Sequence, residues 1–218
     1  MRTNLPTGTT VEIASSDHPT RGVVVVPDIM GLRPLFDDMV ARLASEYGWA
    51  VAAVEPFAGR ESMSIEERMA AMAGLDDERQ VSDLAAAAHL LDMEPVGILG
   101  FCMGGMYAMK AAASGRFDRA ASFYGMIRVS EAWRGATQRD AIDVLAEAPG
   151  SAERILAIIG TADPYTPERD VDDLEAAGAT VVRYEGAEHG FVHDASRPAH
   201  RADDAADAWR RVTDWFRR

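Results

Sequence analysis

The segment Gly-Phe-Cys-Met-Gly-Gly at residues 100–105 constrains the fold more than any other part of the chain. It directly follows the apolar run 96–99, and it opens a stretch of small and flexible residues at 103–114 with the character of a buried helix. Glycines two positions before and after a central nucleophile, at a turn between a strand and a helix, are typical of a nucleophile elbow. The turn is so tight that a Cβ at either flanking position would clash. The pattern therefore predicts that Cys102 is a nucleophile held at the start of a helix.

Cys102 is the only cysteine in the chain, so no intrachain disulfide and no paired-cysteine metal or redox site can form. A lone cysteine is often a small buried hydrophobic residue, which is the competing interpretation. The glycines around Cys102 favour the nucleophile, because they place this residue at the start of a helix. There the positive end of the helix dipole stabilises a thiolate.

Six short apolar runs recur along the chain and are continuous more than alternating, as is typical of strands buried on both faces. Segments with helical periodicity separate them, and residues 34–47 are the clearest, with Pro34 in the first turn and Gly48 at the end. This alternation predicts an α/β fold in which helices cover both faces of a mostly parallel sheet. The predicted strands are 23–26, 50–54, 96–99, 120–124, 155–159 and 180–184.

No proline-rich or serine/glycine-rich linker divides the chain, so we expect one domain over residues 1–218. Residues 126–153 are long for a connection and partly helical in pattern. We expect this segment to form a cap-like insertion over a site.

An elbow nucleophile requires an acid and then a histidine later in the chain. Asp163 follows the run 155–159, and His189 follows the run 180–184. Since the carboxyl ends of parallel strands meet at one edge of a sheet, we expect both side chains to converge on Cys102. His189 would then take the thiol proton, and Asp163 would orient the imidazole.

Both assignments have competitors. The acid has alternatives in Asp170 and Glu185, and Asp163 also fits a turn before Pro164. His189 and His193 are four residues apart, a spacing that binds zinc on a helix, but Gly190 and the preceding strand argue against a helix there. We therefore expect no metal. Three other histidines fit solvated or structural positions: His18, His89 and His200.

The oxyanion formed during acyl transfer needs two backbone N–H donors. One should come from Met103, directly after the nucleophile, and the other from Ile29, in the loop after the first predicted parallel strand. Asp28 in the same loop would hold or deprotonate the thiol, or would only cap the following turn. Met30 and Met126 also follow strands, and they either line an adaptable apolar pocket or fill the core.

The charge excludes several classes of partner. The chain has 22 Lys and Arg against 35 Asp and Glu, giving a net charge of −13. Such a surface repels nucleic acids and anionic membranes, so we expect a small-molecule partner. The first residues contain no apolar targeting segment, and no apolar stretch approaches the ~18 residues of a membrane span. We expect a cytoplasmic protein.

The sequence resembles the dienelactone hydrolase family, a branch of the α/β-hydrolase fold with a cysteine nucleophile. The resemblance covers about residues 22–216 and rests on five segments: VVVVPDIMGL at 23–32, GFCMGGMYA at 100–108, SFYG at 122–125, GTADPYTP at 160–167 and EHGFVHDASRP at 188–198. It implies hydrolysis of an ester or lactone through a thioester, with Cys102, Asp163 and His189 as the triad. It also implies the Ile29 and Met103 amides as the oxyanion hole and no cofactor.

The sequence departs from the family pattern at three places. Asp28 stands where the family often has Glu, and His193 stands where the family has an arginine for a substrate carboxylate. A second such arginine corresponds to Arg68, so the resemblance implies Arg68 and His193 as substrate-binding residues. The segment 126–153 is longer than in compact members.

We expect a monomer or small homo-oligomer. The alternative function is a thiol sensor or small-molecule-binding module without turnover.

Overall fold

The computed structural model describes residues 1–218 as one eight-stranded sheet with seven α-helices and three short 3-10 helices. The strands are β1 Arg2–Asn4, β2 Thr10–Ser15, β3 Gly22–Val26, β4 Ala50–Val54, β5 Val96–Phe101, β6 Ala120–Phe123, β7 Ile155–Gly160 and β8 Thr180–Tyr184. The α-helices are α1 Pro34–Tyr47, α2 Ile65–Ala71, α3 Asp77–Leu90, α4 Met103–Ala112, α5 Ala141–Ala146, α6 Glu168–Ala176 and α7 Ala202–Phe216.

The strand order in the sheet is β1-β2-β4-β3-β5-β6-β7-β8. All neighbouring strands from β4 to β8 are parallel, and β1 and β2 form an antiparallel extension at one edge. The prediction of a mostly parallel sheet is therefore confirmed. All six predicted strands are present with bounds close to those expected from their apolar runs.

Helices cover both faces of the sheet, as predicted. Along β3, Val23 and Val25 pack into one hydrophobic layer, while Val24 and Val26 pack into the other. The first layer is completed by α1 and α7, and the second by helices α3 to α6. Because both faces are buried, every residue of β3 is apolar or glycine.

Local signals account for several helix bounds. Helix α1 begins at Pro34, and Gly48 ends it in the left-handed conformation at φ 69°. Helix α2 has a capping box, in which Ser64 accepts from the Glu67 amide and the Glu67 side chain accepts from the Ser64 amide.

Three elements have weak sequence signals. Strands β1 and β2 were not among the predicted strands, because they lie at an edge and are mostly half-exposed. Helix α6 buries only Val171 and Leu174, so its apolar stripe is narrow.

The segment 126–153 contains the 3-10 helix Glu131–Trp133, helix α5 and part of the 3-10 helix Ala152–Arg154. It packs on the 3-10 helix Met72–Gly74, where the Gln138 side chain donates to the Met72 carbonyl at 2.6 Å. The chain contains no helix that combines the length and the apolar character needed to cross a bilayer.

Candidate active site

Cys102 is the single residue between β5 and α4, and it adopts φ 57° and ψ −121°. The flanking glycines have no room for a side chain. A Cβ on Gly100 would lie 2.1 Å from the Gly104 carbonyl oxygen, and a Cβ on Gly104 would lie 2.2 Å from the Val26 carbonyl oxygen. The strained backbone at Cys102 and the two glycines have the geometry that the elbow pattern requires. The sulfur-bearing side chain is partly exposed at the start of α4.

His189 and Asp163 come together after β8 and β7. The His189 Nδ1 and the Asp163 Oδ2 are 2.8 Å apart, and Asp163 also accepts from the Tyr165 amide. Burial disfavours the imidazolium, but the hydrogen bond to Asp163 and the nearby Cys102 side chain raise the pKa of His189 to about 10. The other nitrogen, Nε2, is buried and makes no hydrogen bond. Of the candidate acids, Asp163 is thus the one that contacts His189.

The two residues predicted to supply the oxyanion donors, Ile29 and Met103, line the same cavity as Cys102. Met103 is the first residue of α4, so its amide has no acceptor within the helix. Ile29 lies in the loop after β3, outside any helix or strand, and the neighbouring Met30 and Gly31 amides both donate to Asp28. Both predicted donor residues therefore line the cavity that contains Cys102.

The cavity over Cys102 has a volume of about 390 Å³ and is mostly apolar. Met30 and Met126, which the sequence predicted as lining residues or core, both line it, and Met30 is 47% exposed. Helix α2 and the following 3-10 helix contribute Ile65, Met69 and Met72.

Sequence reasoning missed two aromatic residues of this cavity, Trp133 and Tyr165. Their rings stack with centroids 5.4 Å apart and an interplanar angle of 27°. Tyr165 follows Asp163 by two residues in the segment after β7, so its position beyond a strand was a usable signal. Trp133 lies in the segment 126–153, whose pattern was only partly helical and did not indicate which residues face the cavity.

The structure corrects the expected contact of Asp28 with the thiol. Asp28 accepts from Arg33 at 2.7 and 2.9 Å, from the Met30 amide at 3.0 Å and from His193 at 2.8 Å. Burial opposes ionisation, but the His193 and Arg33 hydrogen bonds outweigh it and hold the pKa of Asp28 well below its usual range. With these four bonds the carboxylate fixes the Ile29 loop and makes no hydrogen bond to Cys102.

His193 is likewise in a different place from the one expected of a substrate-binding residue. Its side chain is fully buried, with Nε2 bonded to Asp28 and Nδ1 bonded to the Tyr124 hydroxyl. Both nitrogens are occupied within the protein, and the ring stacks on Phe101 at 4.8 Å. Neither a substrate carboxylate nor a metal shared with His189 can reach it without breaking these bonds.

Arg68 is also buried rather than aimed into the cavity. Its guanidinium pairs with Glu55 at 3.0 Å and donates to the Glu61 carbonyl at 2.7 Å. A longer contact of 3.4 Å reaches the Ile29 carbonyl. Arg68 therefore supports the loop that carries the Ile29 amide, and it does not line the cavity over Cys102.

Two other arginines line the cavity instead, Arg33 and Arg197. Arg33 is paired with Asp28. The Arg197 guanidinium packs on the bare backbone of Gly190, where a Cβ would lie 2.7 Å from Nη1, and it makes no ion pair. No sequence signal marked Arg197, because its contact with Gly190 exists only in the folded chain.

The model of the dienelactone hydrolase family matches residues 9–218. A carboxymethylenebutenolidase of Rhodococcus opacus is 29% identical over 218 residues, covering 94% of this chain and 84% of its own length. A Bradyrhizobium protein with a provisional name as a 2-oxo-3-(5-oxofuran-2-ylidene)propanoate lactonase is 26% identical, covering 89% and 82%.

Among solved structures, a protein of Klebsiella pneumoniae subsp. pneumoniae with a provisional dienelactone hydrolase name superposes with a TM-score of 0.84. It is 23% identical and covers 100% of this chain and 98% of its own. The match supports the α/β-hydrolase fold over the full sheet. With the family model spanning nearly the whole sequence, the chain belongs to the dienelactone hydrolase family and is an enzyme of the ester- and lactone-hydrolysing class.

Proposed function

We propose that the protein hydrolyses a carboxylic ester or lactone by acyl transfer through a thioester on Cys102. The observation that carries the proposal is the 2.8 Å contact of His189 with Asp163 beside a cysteine at φ 57°. The three residues follow the parallel strands β5, β7 and β8, at the edge of the sheet where the carboxyl ends of the strands lie. Such a constellation supports a nucleophile, a general base and an orienting acid.

In the first step the Cys102 sulfur attacks the carbonyl carbon and forms a C–S bond, and His189 holds the thiol proton. The carbonyl oxygen becomes an oxyanion that accepts from the Ile29 and Met103 amides. When this intermediate collapses, the ester C–O bond breaks, and the leaving oxygen takes the proton from Nε2 of His189. Each N–H donor to the oxyanion is worth about 2.7–4 kcal/mol of transition-state stabilisation.

In the second step a water molecule attacks the thioester, and Nε2 of His189 takes its proton. The C–S bond breaks, the carboxylic acid leaves, and the sulfur recovers its proton. The hydrogen bond with Asp163 fixes the imidazole orientation in both steps. Asp28 acts as a positioning residue, because its bonds to the Met30 amide and Arg33 hold the loop that presents the Ile29 amide.

We test the mechanism with Cys102→Ala and His189→Gln on a nitrophenyl acetate. We expect Cys102→Ala to abolish turnover. When the wild type is quenched during turnover, mass spectrometry should find an acetyl group on Cys102. Full activity of Cys102→Ala would overturn the thioester. A single burst without turnover in the wild type would favour the alternative, a thiol sensor or binding module.

We further propose that Arg197 binds an anionic group of the substrate. Arg197 lines the cavity without an acidic partner, whereas Asp194, also in the cavity wall, is bonded to Ser196. The Bradyrhizobium relative is named for a propanoate, which carries a carboxylate. Arg197→Gln should lower kcat/KM for a carboxylate-bearing ester about tenfold more than for the same ester with a neutral carboxamide in place of the carboxylate. The exposed Arg169→Gln is the control, and an equal effect on both substrates would contradict the assignment.

The segment 126–153 contributes Met126 and Trp133 to the cavity wall, which supports its proposed role as a cap-like part of one domain. The partner is a small ester or lactone. A cytoplasmic location, the lack of nucleic-acid and membrane partners, and a monomer or small homo-oligomer stay predictions of the sequence.

A further inference from the structure

Exposed apolar side chains concentrate at the mouth of the Cys102 cavity. Five large hydrophobic residues of the chain are exposed, and three of them, Met30, Ile65 and Tyr165, line this cavity. Exposed apolar surface gathered at one opening marks a site that buries it against a ligand. The mouth is therefore suited to bury an apolar group of a ligand.

The aromatic part of this mouth lies on the side of His189. The Tyr165 ring meets the His189 ring edge-on, with centroids 4.9 Å apart and an angle of 70°. Trp133 stacks on Tyr165 and extends the aromatic surface away from His189. Trp133 is half-buried and Tyr165 is 40% exposed, so part of this surface is open to a ligand.

The mechanism assigns a portion of the substrate to that side. In the proposed acyl transfer, His189 donates its proton to the leaving oxygen, which must lie within about 3 Å of Nε2. The group attached to that oxygen is therefore next to Tyr165. The acyl portion, by contrast, lies between Cys102 and the Ile29 and Met103 amides.

We infer that Trp133 and Tyr165 form a subsite for the alcohol portion of the substrate and that this subsite selects a flat, aromatic or conjugated group. The inference rests on the proposed function and deepens it. Offset stacking and edge-to-face contacts favour a planar ring over a puckered one of equal size, because the planar ring presents a π-face. Trp133 and Tyr165 are then specificity-determining residues.

Two pairs of esters test the subsite. Benzyl acetate and cyclohexylmethyl acetate differ only in the flatness of the alcohol portion. Methyl phenylacetate and methyl cyclohexylacetate carry the same difference on the acyl portion. We expect the wild type to favour benzyl acetate in kcat/KM, and Trp133→Leu to reduce that preference about three- to tenfold. The ratio for the acyl pair should change less than about twofold.

Three variants complete the design. Trp133→Phe keeps a ring and should retain most of the preference, which separates stacking from simple loss of folding. Tyr165→Leu should lower the preference as Trp133→Leu does. Tyr47→Leu is a matched control, since the Tyr47 ring packs against Trp49 outside the cavity and the change should leave both ratios unchanged.

An unchanged alcohol ratio in a folded Trp133→Leu variant that still turns over both acetates would overturn the subsite. An equal change in the acyl pair would overturn the assignment to the alcohol portion. A wild type that hydrolyses none of the four esters and forms no acyl group on Cys102 would contradict the proposed function itself, and the subsite with it.

Discussion

Asp28 and His193 are 165 positions apart in the chain, yet the Asp28 Oδ2 and the His193 Nε2 are 2.8 Å apart in the interior. The ionised Asp28 carboxylate can only accept, so His193 donates its Nε2–H to it, and the other nitrogen of His193 is hydrogen-bonded to the Tyr124 hydroxyl. With Arg33 on the far side of Asp28, the network joins the loop after β3 to the loop after β8. The two loops that carry the Ile29 amide and His189 are thus held to each other by side chains.

We predict that Asp28→Asn lowers the free energy of unfolding at pH 7 by about 2–3 kcal/mol. Folding depresses the pKa of Asp28, so its stabilisation is present above the ordinary pKa of about 3.9 and is lost as the pH falls below that value. The difference between wild type and variant should therefore narrow from pH 4 toward pH 2. Urea unfolding across this range measures it. Asp37→Asn, in an exposed pair with Arg2, is the control, and a difference that widens in acid would contradict the assignment.

We predict that Arg68→Met destabilises the protein by about 3 kcal/mol, because it leaves the Glu55 carboxylate buried without its partner. Glu55 also accepts from the Leu32 and Phe57 amides, so the pair anchors two loops. Glu55→Gln combined with Arg68→Met should cost less than the sum of the single changes. A rise in KM with unchanged urea stability would instead restore Arg68 as a substrate contact.

We predict that Asp163→Asn lowers kcat about 10²- to 10⁴-fold, since the imidazole loses its orienting partner. The Asp163 carboxylate also favours the charged imidazole, so the variant should lower the pKa of His189 from about 10. An NMR titration of the His189 ring measures the pKa. Asp170→Asn is the matched control, because Asp170 pairs with Arg128 and does not contact His189. An unaltered titration in Asp163→Asn would disprove the coupling.

We predict that Gly104→Ala disrupts the elbow, because its Cβ would lie 2.2 Å from the Val26 carbonyl oxygen. The backbone of β3 or α4 must shift, and the cost should exceed about 3 kcal/mol. Gly74→Ala is the comparison, since no atom lies within 4 Å of its added Cβ. Thermal unfolding of the two variants measures the difference, and equal melting temperatures would show that the elbow tolerates a methyl group.

The sequence was sufficient to predict the parallel sheet and the residues at its strand ends. Continuous apolar runs indicate buried strands. A residue with a reactive side chain soon after such a run lies at the edge formed by the carboxyl ends of the strands, where Cys102, Asp163 and His189 meet. The same logic placed Ile29 and Met103 on the wall of the cavity over Cys102, because each lies within three residues of a strand end.

Side-chain partners that join distant segments were not predictable in this way. The family resemblance implied a substrate-binding role for Arg68 and His193. Each is instead buried against an acid, Glu55 for Arg68 and Asp28 for His193, and the positions of these acids depend on the folded loops. Arg197 was missed for the same reason, since only the fold places it on Gly190. Periodicity describes which face of an element is buried, and it contains no information about which charges meet.

The neighbouring strands β3 and β5 pair Val26 with Gly100, directly before the loop of Ile29 and the turn of Cys102. The main-chain hydrogen bonds of one ladder thus bring the start of the Ile29 loop next to the start of the Cys102 turn. Replacing side chains of the cavity wall leaves this ladder intact, because its bonds join main-chain atoms. The walls around the thiol can therefore change while the main-chain frame stays, and this chain shares less than a third of its residues with its Rhodococcus opacus and Bradyrhizobium relatives.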